Sequence, residues 1–354
     1  MSKAPTPEVS ALFIDKISLT GNPVQEADAF RRHAADVIAD WKKQNRVKEI
    51  PKRHGDRYKV KYMLVDGADE LCLIQIDAVD STHSMFRLEF NPAKLSDRGR
   101  KRLRQHLTDL FLADFDEVMA AVKITTMDSA VDISHVNFAT LVVTENKKRK
   151  SGAWGKNLGG NGQIETFYLG SKRSDEQVKV YNKKEQLKST GRDPGQEITR
   201  VEVTQIPKPK DKKTGRLGHG IHLTELHLLR NPFARIQLSS LPAARKYSDS
   251  DRWTMFLGCC ESRGVQGALS GIGDDKLRRI YLKRVIRGAF SWWNPDAIWK
   301  GLPLALRNVG IFPESAFEKR MVDEKQEAVF TRVSASEILK SAVEDEDEDD
   351  EESF

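Results

Sequence analysis

The sequence has 354 residues, with 58 Lys and Arg, 52 Asp and Glu, and a formal net charge of +6. Nine acidic residues run unbroken from Glu344 to Glu352, so residues 1–343 carry a charge of +15. A hydrophobic content of 39% excludes a wholly disordered chain, and no apolar run approaches the ~20 residues of a membrane helix. The length allows one large domain or two modest ones.

Cysteine usage and the first residues predict the compartment. Cys72, Cys259 and Cys260 form neither an even disulfide set nor two CxxC pairs for zinc. The first ten residues lack the basic and apolar regions of a secretory signal. We therefore expect a cytoplasmic protein with no membrane partner.

The first half of the chain predicts a sheet with helices packed on it. An amphipathic helix is expected to open the fold, because apolar residues recur at helical spacing from Ala27 to Trp41. Three strands of an antiparallel meander, a long helix and a further strand are then predicted over residues 58–66, 70–78, 84–91, 100–120 and 122–133.

The second half begins with a basic, glycine-rich loop over residues 147–162. Strands are expected over residues 163–169, 177–183 and 196–205, with a second basic loop over 207–218. Helices are expected over residues 252–261, 275–290 and 295–308. These elements predict an α+β protein whose antiparallel sheet with packed helices precedes a smaller helical C-terminal unit and a disordered acidic tail.

The predicted domain boundaries follow from this order of elements. They give an N-terminal segment, a main domain, a helical C-terminal unit and the acidic tail, over residues 1–20, 21–238, 239–335 and 336–354.

A tyrosine lies between two lysines on one predicted strand. Strand alternation puts Lys179, Tyr181 and Lys183 on the same face. Neighbouring cations favour the phenolate, so Tyr181 is a candidate nucleophile with a lowered pKa. The alternative is an ordinary surface strand in which a half-buried tyrosine lies between solvated lysines.

Acidic side chains share faces on three other predicted strands. Asp128 and Asp132 face one way, Glu202 lies between Arg200 and Thr204, and Glu89 lies near Arg87. If these strands are neighbours, their carboxylates converge and suit Mg²⁺ or Mn²⁺. The alternative is that the acids form structural ion pairs with nearby arginines and lysines.

Five short segments occur in a specific order. They are LEFNP at residues 88–92, ITTMDSAVD at 124–132, TFYLGSKRS at 166–174, VKVYNKKE at 178–185 and TRVE at 199–202. This order resembles the rolling-circle plasmid and phage replication initiators of the Rep_trans type. The resemblance covers residues 88–205 well and the C-terminal helices loosely. The chain differs at Thr126, where that family usually has a basic residue two positions before the first acid.

The resemblance implies a DNA strand transferase that uses a divalent metal, Mg²⁺ or Mn²⁺. Tyr181 would attack a phosphodiester, and Lys183 would lie beside this nucleophile. Asp128 and Glu202 would hold the metal, and the weaker ligand candidates are Asp132 and Glu89. The products would be a 5′-phosphotyrosyl protein and a free 3′-hydroxyl that primes rolling-circle replication.

Origin DNA is the expected partner, both as duplex and as an extruded single strand. Contacts with it are expected from eight basic residues: Lys147, Lys148, Arg149, Lys150, Lys172, Arg173, Lys179 and Arg200. The sequence has no GxxxxGK[ST] segment, so strand separation would require a separate helicase. A homodimer is possible for such initiators. The alternative function is a non-enzymatic plasmid or phage DNA-binding or control protein.

Overall fold

The structure is a computed structural model that describes residues 7–145, 152–155, 166–171, 174–208, 218–241, 251–288 and 290–318. Its strands are β1 (Glu8–Val9), β2 (Phe13–Gly21), β3 (Val47–Glu49), β4 (Tyr58–Asp66), β5 (Asp69–Ala78), β6 (Phe86–Phe90), β7 (Lys123–Ser134), β8 (Leu141–Glu145), β9 (Gly152–Gly155), β10 (Thr166–Leu169), β11 (Glu176–Asn182), β12 (Ile198–Gln205), β13 (Ile221–His222), β14 (Ile236–Ser240) and β15 (Phe290–Ser291). Its helices are α1 (Ala27–Lys43), α2 (Asp97–Phe111), α3 (Phe115–Ala121), α4 (Lys183–Ser189), α5 (Asp251–Ser270), α6 (Asp275–Gly288), α7 (Pro295–Trp299), α8 (Leu302–Arg307) and α9 (Ser315–Glu318).

One large antiparallel sheet organises the molecule and confirms the predicted α+β class. Its strand order is β3-β4-β5-β6-β2-β7-β12-β11-β10-β9, and β1 and β13 pair with the two ends of β7. The predicted meander is confirmed as β4, β5 and β6. The long strand β7 therefore lies between the N-terminal strands and the β10–β12 strands.

Helices α1 and α2 cover one face of the sheet. Helix α1 buries Phe30 and Trp41, as its spacing predicts, and the Ser96 side chain caps α2 by accepting a hydrogen bond from the Gly99 N–H. The Phe111 ring of α2 lies 5.8 Å from the ring of Phe30 and 4.8 Å from that of Phe86 on β6. Since side chains alternate along a strand, the residues between the buried ones point away from the helices.

Several predicted elements differ from the structure. The helix α1 does not open the fold, because β2 precedes it and fills the centre of the sheet between β6 and β7. The single predicted helix over residues 100–120 is wrong: it breaks at Leu112, which has a positive φ of 55°. The glycine-rich loop includes strand β9, which pairs with β10, while the rest of residues 147–162 lies outside the described residues.

The C-terminal helices contribute to two apolar clusters. Helices α5 and α6 form a cluster around Trp253 and Tyr281, which also contains Val142 of β8. Ile298 of α7 and Leu302 of α8 belong instead to the main core under the large sheet. The predicted division into domains stays a prediction. In the described ranges no helix is both long and apolar enough to cross a bilayer.

Candidate functional site

The face of the sheet opposite α1 and α2 is polar. On β6, Phe86, Leu88 and Phe90 are buried towards the helices, so Arg87 and Glu89 point to the other side. The alternation continues across the paired strands, so that each contributes charged or polar residues to this surface. We call it the polar face, and its central residues are Glu89, Lys16, Asp128, Glu202, Lys179, Tyr181, Arg200 and Asp132.

Tyr181 and Glu202 meet on neighbouring strands. Lys179 of β11 lies directly opposite Glu202 of β12, and its Nζ is 2.5 Å from Glu202 Oε1. The Tyr181 hydroxyl donates a hydrogen bond to Glu202 Oε2 at 3.3 Å. Only 8% of Glu202 is exposed. The nucleophile candidate therefore shares its carboxylate partner with the half-buried ammonium group of Lys179.

Asp128 is the acid of the polar face with an unsatisfied oxygen. Its Oδ1 is buried and has no hydrogen-bond partner among the described residues, while Thr204 of β12 lies opposite it and bonds to the side chain. Burial raises the pKa of Asp128, and the negative charge of Glu202 raises it further. A buried acceptor without a donor is costly, so this position favours a bound cation.

The donor set fits a divalent metal held by few protein ligands. Asp128 and Glu202 are close enough to repel each other, and one Asp128 oxygen lacks a partner. Mg²⁺ commonly uses one or two carboxylates and takes its other ligands from water and phosphate. No group of three or more metal-ligating side chains occurs in the part of the chain that the structure describes. The predicted set of four acids is therefore not brought together there.

Asp132 is paired with an arginine. Arg200 donates from Nε to Asp132 Oδ1 at 2.6 Å and from Nη2 to Oδ2 at 2.8 Å, and its Nη1 contacts Asp15 at 3.3 Å. Such bidentate bonds are strong and directional. Asp132 therefore holds Arg200, which lies directly opposite Tyr181 in the β11–β12 register.

Glu89 belongs to a separate group of charges. Its carboxylate contacts Lys16 Nζ at 2.5 Å and Arg87 Nη2 at 2.6 Å, and it accepts a hydrogen bond from the Ser18 hydroxyl at 3.0 Å. These positive charges lower the pKa of Glu89 against the effect of its burial. The contacts of Glu89 and Asp132 therefore match the alternative in which these acids form structural ion pairs with nearby arginines and lysines.

Burial raises the pKa of Tyr181, whereas the flanking lysines were expected to lower it. That expectation is wrong for this structure, because neither ammonium group points at the phenol oxygen. Lys179 is directed to Glu202, and Lys183 bonds to Gln186 with its Nζ 6.0 Å from the centre of the Tyr181 ring. The hydroxyl is therefore neutral near pH 7 and needs a proton acceptor before it can attack.

Lys183 does not continue the strand as predicted. It is the first residue of helix α4, which Asn182 caps by accepting a hydrogen bond from the Glu185 N–H. Burial lowers the pKa of Lys183, and the nearby charge of Arg200 adds to this effect. Lys183 stays beside Tyr181, but it approaches the ring from a helix end.

The predicted DNA contacts divide into two groups. Lys179 and Arg200 lie on the polar face, each bonded to an acid. The remaining six, Lys147, Lys148, Arg149, Lys150, Lys172 and Arg173, lie outside the described residues. All eight DNA contacts stay predictions.

Strand β2 adds residues that the sequence pattern did not reveal. A bulge at Asp15 shifts the register between β2 and β7, so that Lys16 lies opposite Asp128 and Phe13 opposite Ala130. Arg200 lies over the Phe13 ring at 4.9 Å from its centre. The alternation of Ile17 and Leu19 with polar residues is a strand signal, but the bulge interrupts it.

Comparisons with known proteins complete the description of the site. The chain matches no protein-family model, and comparison with curated proteins finds no similar sequence. It is similar to the solved structure of the rolling circle replication initiator protein from Geobacillus stearothermophilus. The TM-score is 0.35 and the identity 17%, and the match covers 73% of this chain and 98% of that chain.

Proposed function

We propose that the chain initiates rolling-circle replication by nicking and rejoining a single DNA strand through tyrosine transesterification. The observation that carries this proposal is the convergence of Tyr181, Glu202 and Asp128 on one face of three adjacent strands. Asp128 also keeps an unpartnered buried oxygen there.

The chemistry begins with the hydrogen bond between Tyr181 and Glu202. The phenol oxygen forms a bond to phosphorus, the bond from phosphorus to the 3′ oxygen breaks, and the carboxylate of Glu202 takes the phenol proton. The departing 3′ oxygen takes a proton from water and becomes the 3′-hydroxyl primer. The reverse reaction rejoins the strand, so no nucleotide hydrolysis is needed.

The charges around Tyr181 support an anionic substrate. Lys179 and Lys183 flank the nucleophile and suit the non-bridging oxygens of a phosphodiester. Asp128 and Glu202 would hold Mg²⁺ or Mn²⁺, which stabilises the negative charge that develops on those oxygens. The Arg200 side chain is held by its hydrogen bond to Asp132, and Arg200 lies opposite Tyr181 in the β11–β12 register.

Incubation with supercoiled plasmid tests the proposal. The plasmid should carry the replicon that encodes the chain, and the reaction should contain Mg²⁺ or Mn²⁺. We expect nicked circles with protein joined to a 5′ end, and we expect Tyr181→Phe to abolish both.

The matched control is Tyr168→Phe on β10, which removes a hydroxyl from the adjacent strand and should still nick. Tight binding of this DNA by the wild-type chain without nicking or adduct would instead support the non-enzymatic DNA-binding alternative. In a replicating system, the proposed activity would work with a separate helicase on an extruded single strand.

A further inference from the structure

A second concave site lies on the polar face next to the candidate active site. Its volume is about 620 Å³. Its floor is formed by five residues that lie opposite one another on five adjacent strands. In the order β4, β5, β6, β2 and β7 they are Lys61, Gln75, Arg87, Thr20 and Lys123. Arg57, Asp56, His83 and His219 are among the other lining residues. We call this site the cationic cavity.

The cationic cavity is built for a negative charge. Its lining holds four permanent cations, Arg57, Lys61, Arg87 and Lys123, against the single acid Asp56. Lys61 pairs with Asp56 at 2.6 Å and Arg87 with Glu89. Neither Arg57 nor Lys123 forms an ion pair with a described residue. Two positive charges are therefore available for a ligand.

His219 lines the cationic cavity, and its pKa responds to the same positive charges. Burial lowers the pKa of His219, and the positive charges of Arg57, Lys208 and Arg87 lower it further. The His219 ring is consequently neutral near pH 7 and offers hydrogen bonds without adding charge.

Two residues that line the cationic cavity each carry a buried polar atom that lacks a partner among the described residues. These atoms are Oε1 of Gln75, a residue that is only 6% exposed, and Nε of Arg87. Leaving such groups unsatisfied is costly, so a ligand that satisfies them gains affinity. The Arg87 N–H suits a phosphate oxygen, and the Gln75 carbonyl suits an N–H donor such as that of a nucleobase. A nucleotide has both groups, and the cavity volume is in the range of small-ligand sites.

The cationic cavity is continuous with the candidate active site. Thr126 lines the cavity and lies two residues before Asp128 on β7, a separation of about 7 Å along a strand. A diagonal line across the sheet joins the cavity to Tyr181. It passes through Asp128 on β7 and Glu202 on β12 and ends at Tyr181 on β11. The carboxylates therefore lie between the cavity and the nucleophile.

We propose that the cationic cavity binds a nucleotide upstream of the nick, on the strand whose 3′ oxygen leaves when Tyr181 attacks. This inference rests on the proposed function. Attacking and leaving oxygens lie roughly in line in phosphoryl transfer, so the leaving group departs on the side away from Tyr181. That side of the carboxylates is occupied by the cavity. The strand that ends in the new 3′-hydroxyl is thus held by Arg57, Lys123 and Arg87.

Binding is tested first, in a Tyr181→Phe background that cannot react. The probe is a fluorescein-labelled dT 12-mer, and the variants are Arg57→Gln and Lys123→Gln. We expect each variant to weaken binding about tenfold and to reduce the salt slope by about 0.7, the loss of one phosphate contact.

The matched control is Lys101→Gln, an exposed lysine of α2 on the opposite side of the sheet, and it should leave both quantities unchanged. Unchanged binding in both cavity variants would overturn the inference. Displacement of the probe by inorganic phosphate as efficiently as by thymidine 3′-monophosphate would also overturn it, since the cavity would then be a phosphate site only.

Direction is tested with single strands that carry the mapped nick site and one neutral methylphosphonate. Placed on the 5′ side of the nick, the methylphosphonate should weaken wild-type binding about tenfold and have little further effect in Arg57→Gln. Placed on the 3′ side, it should act equally in both proteins. Coupling of Arg57 to the 3′ side alone would overturn the proposal.

The two proposals can fail separately. Suppose that the wild-type chain never nicks but that dT binding depends on Arg57 and Lys123. The transesterification proposal then fails. The cationic cavity remains a single-strand binding site, but it can no longer be assigned to one side of a nick. If the wild-type chain nicks, and the cavity variants bind and nick normally, only the inference about the cationic cavity fails.

Discussion

Replacing Asp128 by Asn is expected to stabilise the fold while removing metal-dependent activity. In the wild-type protein the buried Asp128 Oδ1 has no partner in the described structure, and Glu202 repels its charge. An amide at this position removes the repulsion, and its N–H₂ group donates where the carboxylate can only accept. The charged Asp128 side chain therefore lowers the stability of the fold, a cost that its role in the proposed reaction would explain.

The expected gain is about 1–3 kcal/mol in the free energy of unfolding, the usual cost of a buried polar group without a partner. Its pH dependence follows from the raised pKa of Asp128. Below the unfolded-state pKa of about 3.9 the carboxyl is protonated in both states, so its charge contributes no cost. The destabilisation develops as pH rises from the unfolded-state pKa to the raised folded-state pKa of Asp128, and it is fully present above the latter.

Urea unfolding of the full chain in EDTA at pH 7.5 measures this difference. The control is Asp132→Asn, which removes one partner of the Arg200 pair and is expected to lose stability. Added Mg²⁺ should stabilise the wild-type chain by mass action and leave Asp128→Asn unaffected. Lower stability of Asp128→Asn at pH 7.5, or a gain that is as large at pH 3.5, would refute the reasoning.

Single-turnover nicking should stay flat between pH 7 and 9.5, because the Glu202 carboxylate takes the proton of Tyr181, whose pKa is raised by burial; a rate that rises about tenfold per pH unit would contradict proton transfer to Glu202. Arg200→Lys should lose the bidentate bond to Asp132 and about 1–3 kcal/mol of unfolding free energy, measured in urea; an unchanged midpoint would argue against that bond. Deleting residues 344–354 removes the whole acidic run and should strengthen binding to random DNA at low salt, whereas unchanged salt-dependent affinity would exclude competition by the tail.

Local periodicity predicted most of the elements that build the site. The spacing of apolar residues identified α1, and the alternation of valines with charged residues placed Tyr181 and Lys179 on one face of β11. The faces of β7 and β12 followed from the same rule, so Asp128 and Glu202 were recognised as candidates. Alternation is readable because the strand period of two is fixed by backbone geometry.

The neighbours of these residues could not be predicted, because pairing between distant strands leaves no local signal. Asp132 and Asp128 cannot be told apart by their spacing. In the described structure, however, Arg200 forms an ion pair with Asp132, whereas Asp128 forms none. Lys16 lies opposite Asp128 because of a bulge in β2, a strand that the sequence pattern did not predict. The raised pKa of Tyr181 likewise depends on burial by the whole fold.

Mapping the covalent bond tests the central claim most directly. After reaction with a single strand that carries the nick site and Mg²⁺ or Mn²⁺, nuclease and protease digestion should leave a peptide with a 5′-linked nucleotide. We predict that fragmentation in the mass spectrometer places this nucleotide on the oxygen of Tyr181. A nucleotide on any other residue, or nicked DNA without a linked peptide, would contradict the account.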